Sequence, residues 1–169
     1  MNLLRTRKYP KEVKPSKRMF TFDIYFIRAG EVGTGPGMMS ERGRAEMESI
    51  GRNLRAKHPD DEIALLWDGF ERQSQAAYLV AKRLGVTHQK FDSSLLHNFI
   101  TQESPTFNHL GSLMRLNAEE SCITTFVIVA SLPRLERVFP GKVIPEAACL
   151  KLTMHSSGQN MPFKFSLPN

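Results

Sequence analysis

The stretch FTFDIYFIRAGEVGTGPGMMSERG, residues 20–43, carries three signals in order. Phe20 to Ile27 is an apolar run rich in aromatic and β-branched residues, which reads as a buried strand. Arg28-Ala29-Gly30 ends it, and Glu31 to Gly37 (EVGTGPG) is a glycine-rich loop. Ser40 stands where a side-chain oxygen can cap a helix opening on Glu41. From Glu41 to Lys57, charged positions alternate with Ala45, Met47, Ile50 and Leu54, the pattern of an amphipathic helix. His58-Pro59-Asp60-Asp61 breaks it.

The strand-then-helix order repeats downstream. Ile63 to Trp67 (IALLW) predicts a second buried strand, Asp68-Gly69-Phe70 a turn, and Glu71 to Leu84 a second helix stopped at Gly85. Residues 91–100 predict a short strand and an irregular stretch around Leu95-Leu96-His97-Asn98. Ser104-Pro105 opens a helix reaching about Asn117. Cys122 to Ala130 (CITTFVIVA) is the most strand-like segment of the chain. Ser131-Leu132-Pro133 predicts a turn and Leu135 to Phe139 a short helix or loop. Ala147 to Met154 and Phe163 to Leu167 predict two final strands, joined as a hairpin across Ser156 to Asn160. The expected architecture is a three-layer α/β/α domain with a mainly parallel central sheet and helices on both faces. In such sheets ligands bind beyond the carboxyl ends of the strands. Attention therefore falls on Arg28-Ala29-Gly30, Asp68 to Arg72, and Ser131-Leu132-Pro133.

The 169 residues suit one domain with a sizeable core, and 41% hydrophobic content is ordinary for a soluble globular protein. No apolar run approaches the roughly 20 residues that span a bilayer, and the N-terminus has no apolar h-region. The expected setting is the cytoplasm. Cys122 and Cys149 fit a reducing compartment, offer no metal spacing, and sit in apolar runs where buried thiols are expected. Neither a metal nor a cofactor is expected. The net charge of +6 resides in residues 1–18, where Arg5, Arg7, Lys8, Lys11, Lys14, Lys17 and Arg18 face Glu12 alone. The rest is neutral, which divides the chain into a basic tail (1–18) and a single domain (19–169). Such a tail is either solvated or an arm, residues 5–18, for nucleic acid, an acidic protein or a membrane surface. No nucleic-acid recognition motif accompanies it.

The three strand ends resemble the histidine phosphatase (phosphoglycerate mutase-like) superfamily. There the first strand ends in Arg-His-Gly, matched here by Arg28-Ala29-Gly30, and a Leu-Thr-x-x-Gly segment opens the first helix, matched by Met39-Ser40-Glu41-Arg42-Gly43. The family's Ser-Pro-x-x-Arg-Ala-x-Gln-Thr-Ala corresponds to Asp68-Gly69-Phe70-Glu71-Arg72-Gln73-Ser74-Gln75-Ala76-Ala77, which keeps the arginine, the glutamine and the final alanine. Its Val-x-His-x-Pro is matched by Val129-Ala130-Ser131-Leu132-Pro133. Val143-Ile144-Pro145-Glu146-Ala147-Ala148 resembles the closing segment. The order holds over residues 20–169, and the short spacings are similar to the compact SixA-type phosphohistidine phosphatases.

What the resemblance implies about chemistry is mixed. In the family, the first histidine takes the phosphoryl group covalently, and two arginines with a second histidine hold the equatorial oxygens. Arg28 and Arg72 match the arginines, but Ala29 stands at the nucleophile position and Ser131 at the second histidine. The histidines are His58, His88, His97, His109 and His155, so none lies near either position whatever the alignment. His97 lies near the family's acidic proton donor and is a speculative substitute; the others read as surface or loop residues. Arg28, Arg72 and Ser131 could still bind phosphate, sulfate or a phosphorylated ligand, unless Asp68 and Glu31 neutralise the arginines. Three functions follow: a catalytically inactive pseudophosphatase that binds a phosphate-bearing ligand or partner, an active phosphatase using Ser131 or His97, or a module binding nucleic acid or an acidic partner through its tail. Oligomeric state is not legible.

Overall fold

A computed structural model describes residues 20–67, 71–90, 123–156 and 164–166. The basic tail, Asp68, His97, His109, Cys122 and the helix expected over 104–117 lie outside the described residues. One six-stranded sheet organises the rest. Its strands are β1 (Phe20–Arg28), β2 (Ile63–Trp67), β3 (His88–Lys90), β4 (Thr125–Ala130), β5 (Cys149–Ser156) and β6 (Lys164–Ser166). Their spatial order is β3-β2-β4-β1-β5-β6. The first four are mutually parallel, and β5 and β6 are antiparallel additions.

Alternation along β1 splits the core into two layers, because successive side chains of a strand point to opposite faces. Phe22, Ile24 and Phe26 join Phe126, Ile128, Leu135, Phe139, Ile144 and Leu152 on one face. Tyr25, Ile27 and Ala29 join Val127, Val129 and the helices α1 (Glu41–Lys57) and α2 (Glu71–Leu84) on the other. A short helix, α3 (Leu132–Val138), supplies Leu135 to the first face. Both faces are thus covered by helix, as expected for parallel strands that are apolar on both sides.

Helices α1 and α2 have the bounds that the sequence predicts. Ser40 Oγ accepts from Gly43 N at 3.0 Å, and Gly85 adopts φ +70°, a conformation that a residue with a Cβ resists. Four expectations change. His88 lies in β3, paired with Leu65, and not in a loop. The strand expected from Cys122 begins at Thr125. The turn expected at Ser131-Leu132-Pro133 is the start of α3, since proline is compatible with a first helical turn. The last hairpin starts at Cys149, and the Cys149 residue is exposed where a buried thiol is expected.

The register brings the site together. Arg28 pairs with Ala130 across β1 and β4, and Trp67 pairs with Val129 across β2 and β4. The carboxyl ends of β1, β2 and β4 therefore finish at one edge of the sheet. The antiparallel pairing of β1 with β5 continues past that edge: Arg28 N donates to Ala148 O at 3.0 Å and Ala147 N to Ala29 O at 3.3 Å. This carries the segment before β5 alongside the end of β1.

Candidate functional site

Arg28 leaves the last position of β1 and Arg72 the first turn of α2. They meet at one atom. Glu146 Oε1 lies 3.9 Å from Arg28 Nη2 and 3.8 Å from Arg72 Nη1. Arg28 Nη1 also donates to the carbonyl of Ile144, and Arg28 Nε is buried without a hydrogen-bond partner among the described residues. The arginine side chains are 17% and 22% exposed and Glu146 36%, so the guanidiniums are more buried than the carboxylate.

Glu146 reaches the pair because the closing segment is registered against β1. Ala147, the next residue, holds φ 55°, unusual for a residue with a Cβ and costing about 1 kcal/mol. The sequence gives the segment Val143 to Ala148 only as a motif match. That its glutamate, far along the chain, is the counterion of Arg28 and Arg72 depends on the β1–β5 register, which no local pattern records.

The other candidates fall around this centre. Ala29 is fully buried and its methyl belongs to the apolar cluster under α1 and α2. Ser131 is the N-cap residue of α3 and lines an open groove of about 540 Å³ with Arg72, Gln73, Pro133, Val32 and Gly37. Glu71 forms part of the same wall; a Cβ on Gly37 would lie 3.0 Å from its Oε2. Glu31 is held in the glycine-rich loop, where Ser40 Oγ donates to its Oε2 at 2.7 Å. That loop is closed by Gly33 N to Met38 O at 2.7 Å and Ser40 N to Glu31 O at 2.9 Å. Gln75 fastens it to α2, accepting from Met39 N at 3.4 Å.

His58, expected on the surface, is largely buried at the end of α1. Its Nε2 lies 2.8 Å from Tyr25 Oη and its Nδ1 2.7 Å from Asp61 Oδ2. Burial pushes the Tyr25 phenol above its ordinary pKa, against the nearby Lys151 ammonium. An aromatic face and two polar partners draw the imidazole inward, away from the arginine pair, which lies beyond the opposite end of β1. Among the described residues no cluster of metal-ligating side chains occurs, and no helix is long and apolar enough to cross a membrane.

No protein-family model matches the chain. No curated protein matches it either. Solved structures do resemble it. A mycobacterial glucosyl-3-phosphoglycerate phosphatase in complex with VO3 is 11% identical with a TM-score of 0.61, over 88% of this chain and 99% of the other. The protein histidine phosphatase SixA complexed with tungstate is 14% identical with a TM-score of 0.57, over 86% and 94%. The phosphoglycerate mutase of Plasmodium falciparum is 10% identical with a TM-score of 0.56, over 89% and 90%. The chain has the fold of the phosphoglycerate mutase-like histidine phosphatases.

Proposed function

We propose that this chain is a non-catalytic protein of the histidine phosphatase fold, a pseudophosphatase whose arginine pair serves binding and not turnover. The observation that carries this reading is the state of Ala29. The position next to Arg28, where the fold's enzymes place a nucleophilic imidazole, is a methyl group with no lone pair, absorbed into the apolar cluster. Ser131 at the end of β4 supplies no imidazole, and His58 is committed to Tyr25 and Asp61. With no imidazole beside them among the described residues, Arg28 and Arg72, the electrostatic half of the machinery, have no histidine nucleophile to assist. The oxyanions VO3 and tungstate held by two structures of this fold support a phosphate-bearing group as the class of ligand.

The test is a direct search for turnover. The full chain is incubated with p-nitrophenyl phosphate and with a phosphohistidine peptide, and its intact mass is followed. No rate above the buffer blank and no 80 Da adduct (about the mass a phosphoryl group adds) are expected. Turnover that disappears in Arg28→Ala would overturn the reading, and an adduct on Ser131 or His97 would show a substitute nucleophile.

A further inference from the structure

We propose that Glu146 is the resident counter-anion of the arginine pair: its carboxylate stands where a tetrahedral oxyanion would sit, and a phosphate-bearing ligand binds by displacing it. This deepens the reading above and rests on it.

Arg28 and Arg72 come from different elements, yet both address Glu146 Oε1. At 3.9 and 3.8 Å these are ion-pair contacts, longer than the roughly 2.7–2.9 Å of charge-assisted hydrogen bonds. Among the described residues, Glu146 compensates the charge of the pair without saturating its donors. Arg28 spends Nη1 on the Ile144 carbonyl and leaves Nε buried without a hydrogen-bond partner among the described residues. A guanidinium offers five donors in a planar fork suited to phosphate oxygens. One carboxylate touching through one oxygen leaves more of them open than a tetrahedral dianion would.

Exposure identifies the partner that solvent reaches first. The guanidiniums are the more buried groups, and the carboxylate lies nearer solvent. An incoming anion therefore exchanges with Glu146 while Arg28 and Arg72 stay in place. The groove lined by Glu71, Arg72, Gln73, Ser131 and Pro133 opens on the Arg72 side of the pair and leaves room for the organic part of a phosphomonoester. Carboxylate and phosphate cannot share the site cheaply, since like charges a few ångströms apart repel. The charge of Glu146 thus sets the affinity.

The probe is inorganic phosphate, titrated into the full chain and into Glu146→Gln by calorimetry, with chloride adjusted to hold ionic strength constant. Glu146→Gln is expected to bind at least tenfold tighter than the parent chain, and Glu146→Gln/Arg72→Ala to lose that gain. Equal affinities, no binding by Glu146→Gln, or a gain that survives Arg72→Ala would each overturn the proposal. If Glu146→Gln does not fold in chloride, refolding is the readout: rescue by phosphate and not by chloride supports displacement, and rescue by neither overturns it. The two proposals fail separately. Turnover of a phosphomonoester by the parent chain sinks the non-catalytic reading and leaves the Glu146 result standing. Absence of a gain in Glu146→Gln sinks the displacement and leaves non-catalysis untouched.

Discussion

Arg55 concentrates much of the polar bonding at one end of the molecule in a single side chain. Its Nε donates to Leu84 O at 2.8 Å, Nη2 donates to the same carbonyl, and Nη1 reaches His58 O at 2.9 Å and Asp61 O at 3.2 Å. One guanidinium therefore satisfies carbonyls left over at the C-terminal ends of both α1 and α2, where a cation also favours the helix dipoles. Hydrogen bonds to a charged group contribute about 1.5–3 kcal/mol, and Arg55 is only partly buried. Arg55→Ala is expected to cost about 2 kcal/mol in urea denaturation, and Arg55→Lys to recover less than half, since an ammonium lacks the fork. A loss below about 0.5 kcal/mol would mean that water replaces these bonds freely. Nothing in the sequence marks Arg55 for this role: in the helical pattern it is one more charged position on the solvent face of α1.

Two elements meet where only glycine fits. A Cβ on Gly43, in the first turn of α1, would lie 2.8 Å from both the nitrogen and the oxygen of Glu31, and one on Gly30 would lie 2.6 Å from the Gly43 Cα. Backbone lies against backbone, so no side chain can turn aside. This contact seats the start of α1 on the end of β1 and fixes the loop between them. Gly43→Ala gains up to about 1 kcal/mol of helix propensity but forces a backbone displacement. Overpacking of this kind costs about 1–3 kcal/mol. A net loss of about 1–2 kcal/mol is expected in thermal or urea unfolding, and unchanged or raised stability would show that the contact can open. At this scale the sequence was highly legible for long elements. α1 and α2 carry a cap, a periodic apolar face and a stop, three signals that agree. β3 carries none: its three residues, His-Gln-Lys, are strand only because Leu65 to Trp67 offer a free edge. The start of α3 was hidden for a different reason, since Pro133 has the same local signature in a turn and in a first helical turn.

At the scale of the whole molecule, the sheet order gathers charges that the chain keeps far apart. The positions of Arg28, Ala29 and Ser131 at strand ends were readable, because they close apolar runs, and that of Arg72 because it falls in the first turn of a helix with a periodic apolar face. Their compensation was not readable: Glu31 is held by Ser40, and Glu146 meets the arginines through the continuation of the β1–β5 pairing. This arrangement makes stability non-additive in a definite direction. Each ion pair alone is partly exposed and long, which limits it to about 0–1 kcal/mol, so Arg72→Ala should cost about 0.5 kcal/mol. Glu146→Gln does more than remove two weak pairs, because among the described residues it leaves two guanidiniums near one another with no carboxylate between them. It is expected to cost about 1–2 kcal/mol in chloride buffer at low ionic strength, and less as salt is added. In Glu146→Gln/Arg72→Ala the repulsion is gone along with the attraction, so the double variant is expected to be at least as stable as Glu146→Gln alone. A coupling energy above about 0.5 kcal/mol with that sign, measured by a double-mutant cycle in urea, is the expected result. Additive losses would mean that Arg28 and Arg72 do not share a field, and with that the argument for a common anion position at the end of β1 would fail.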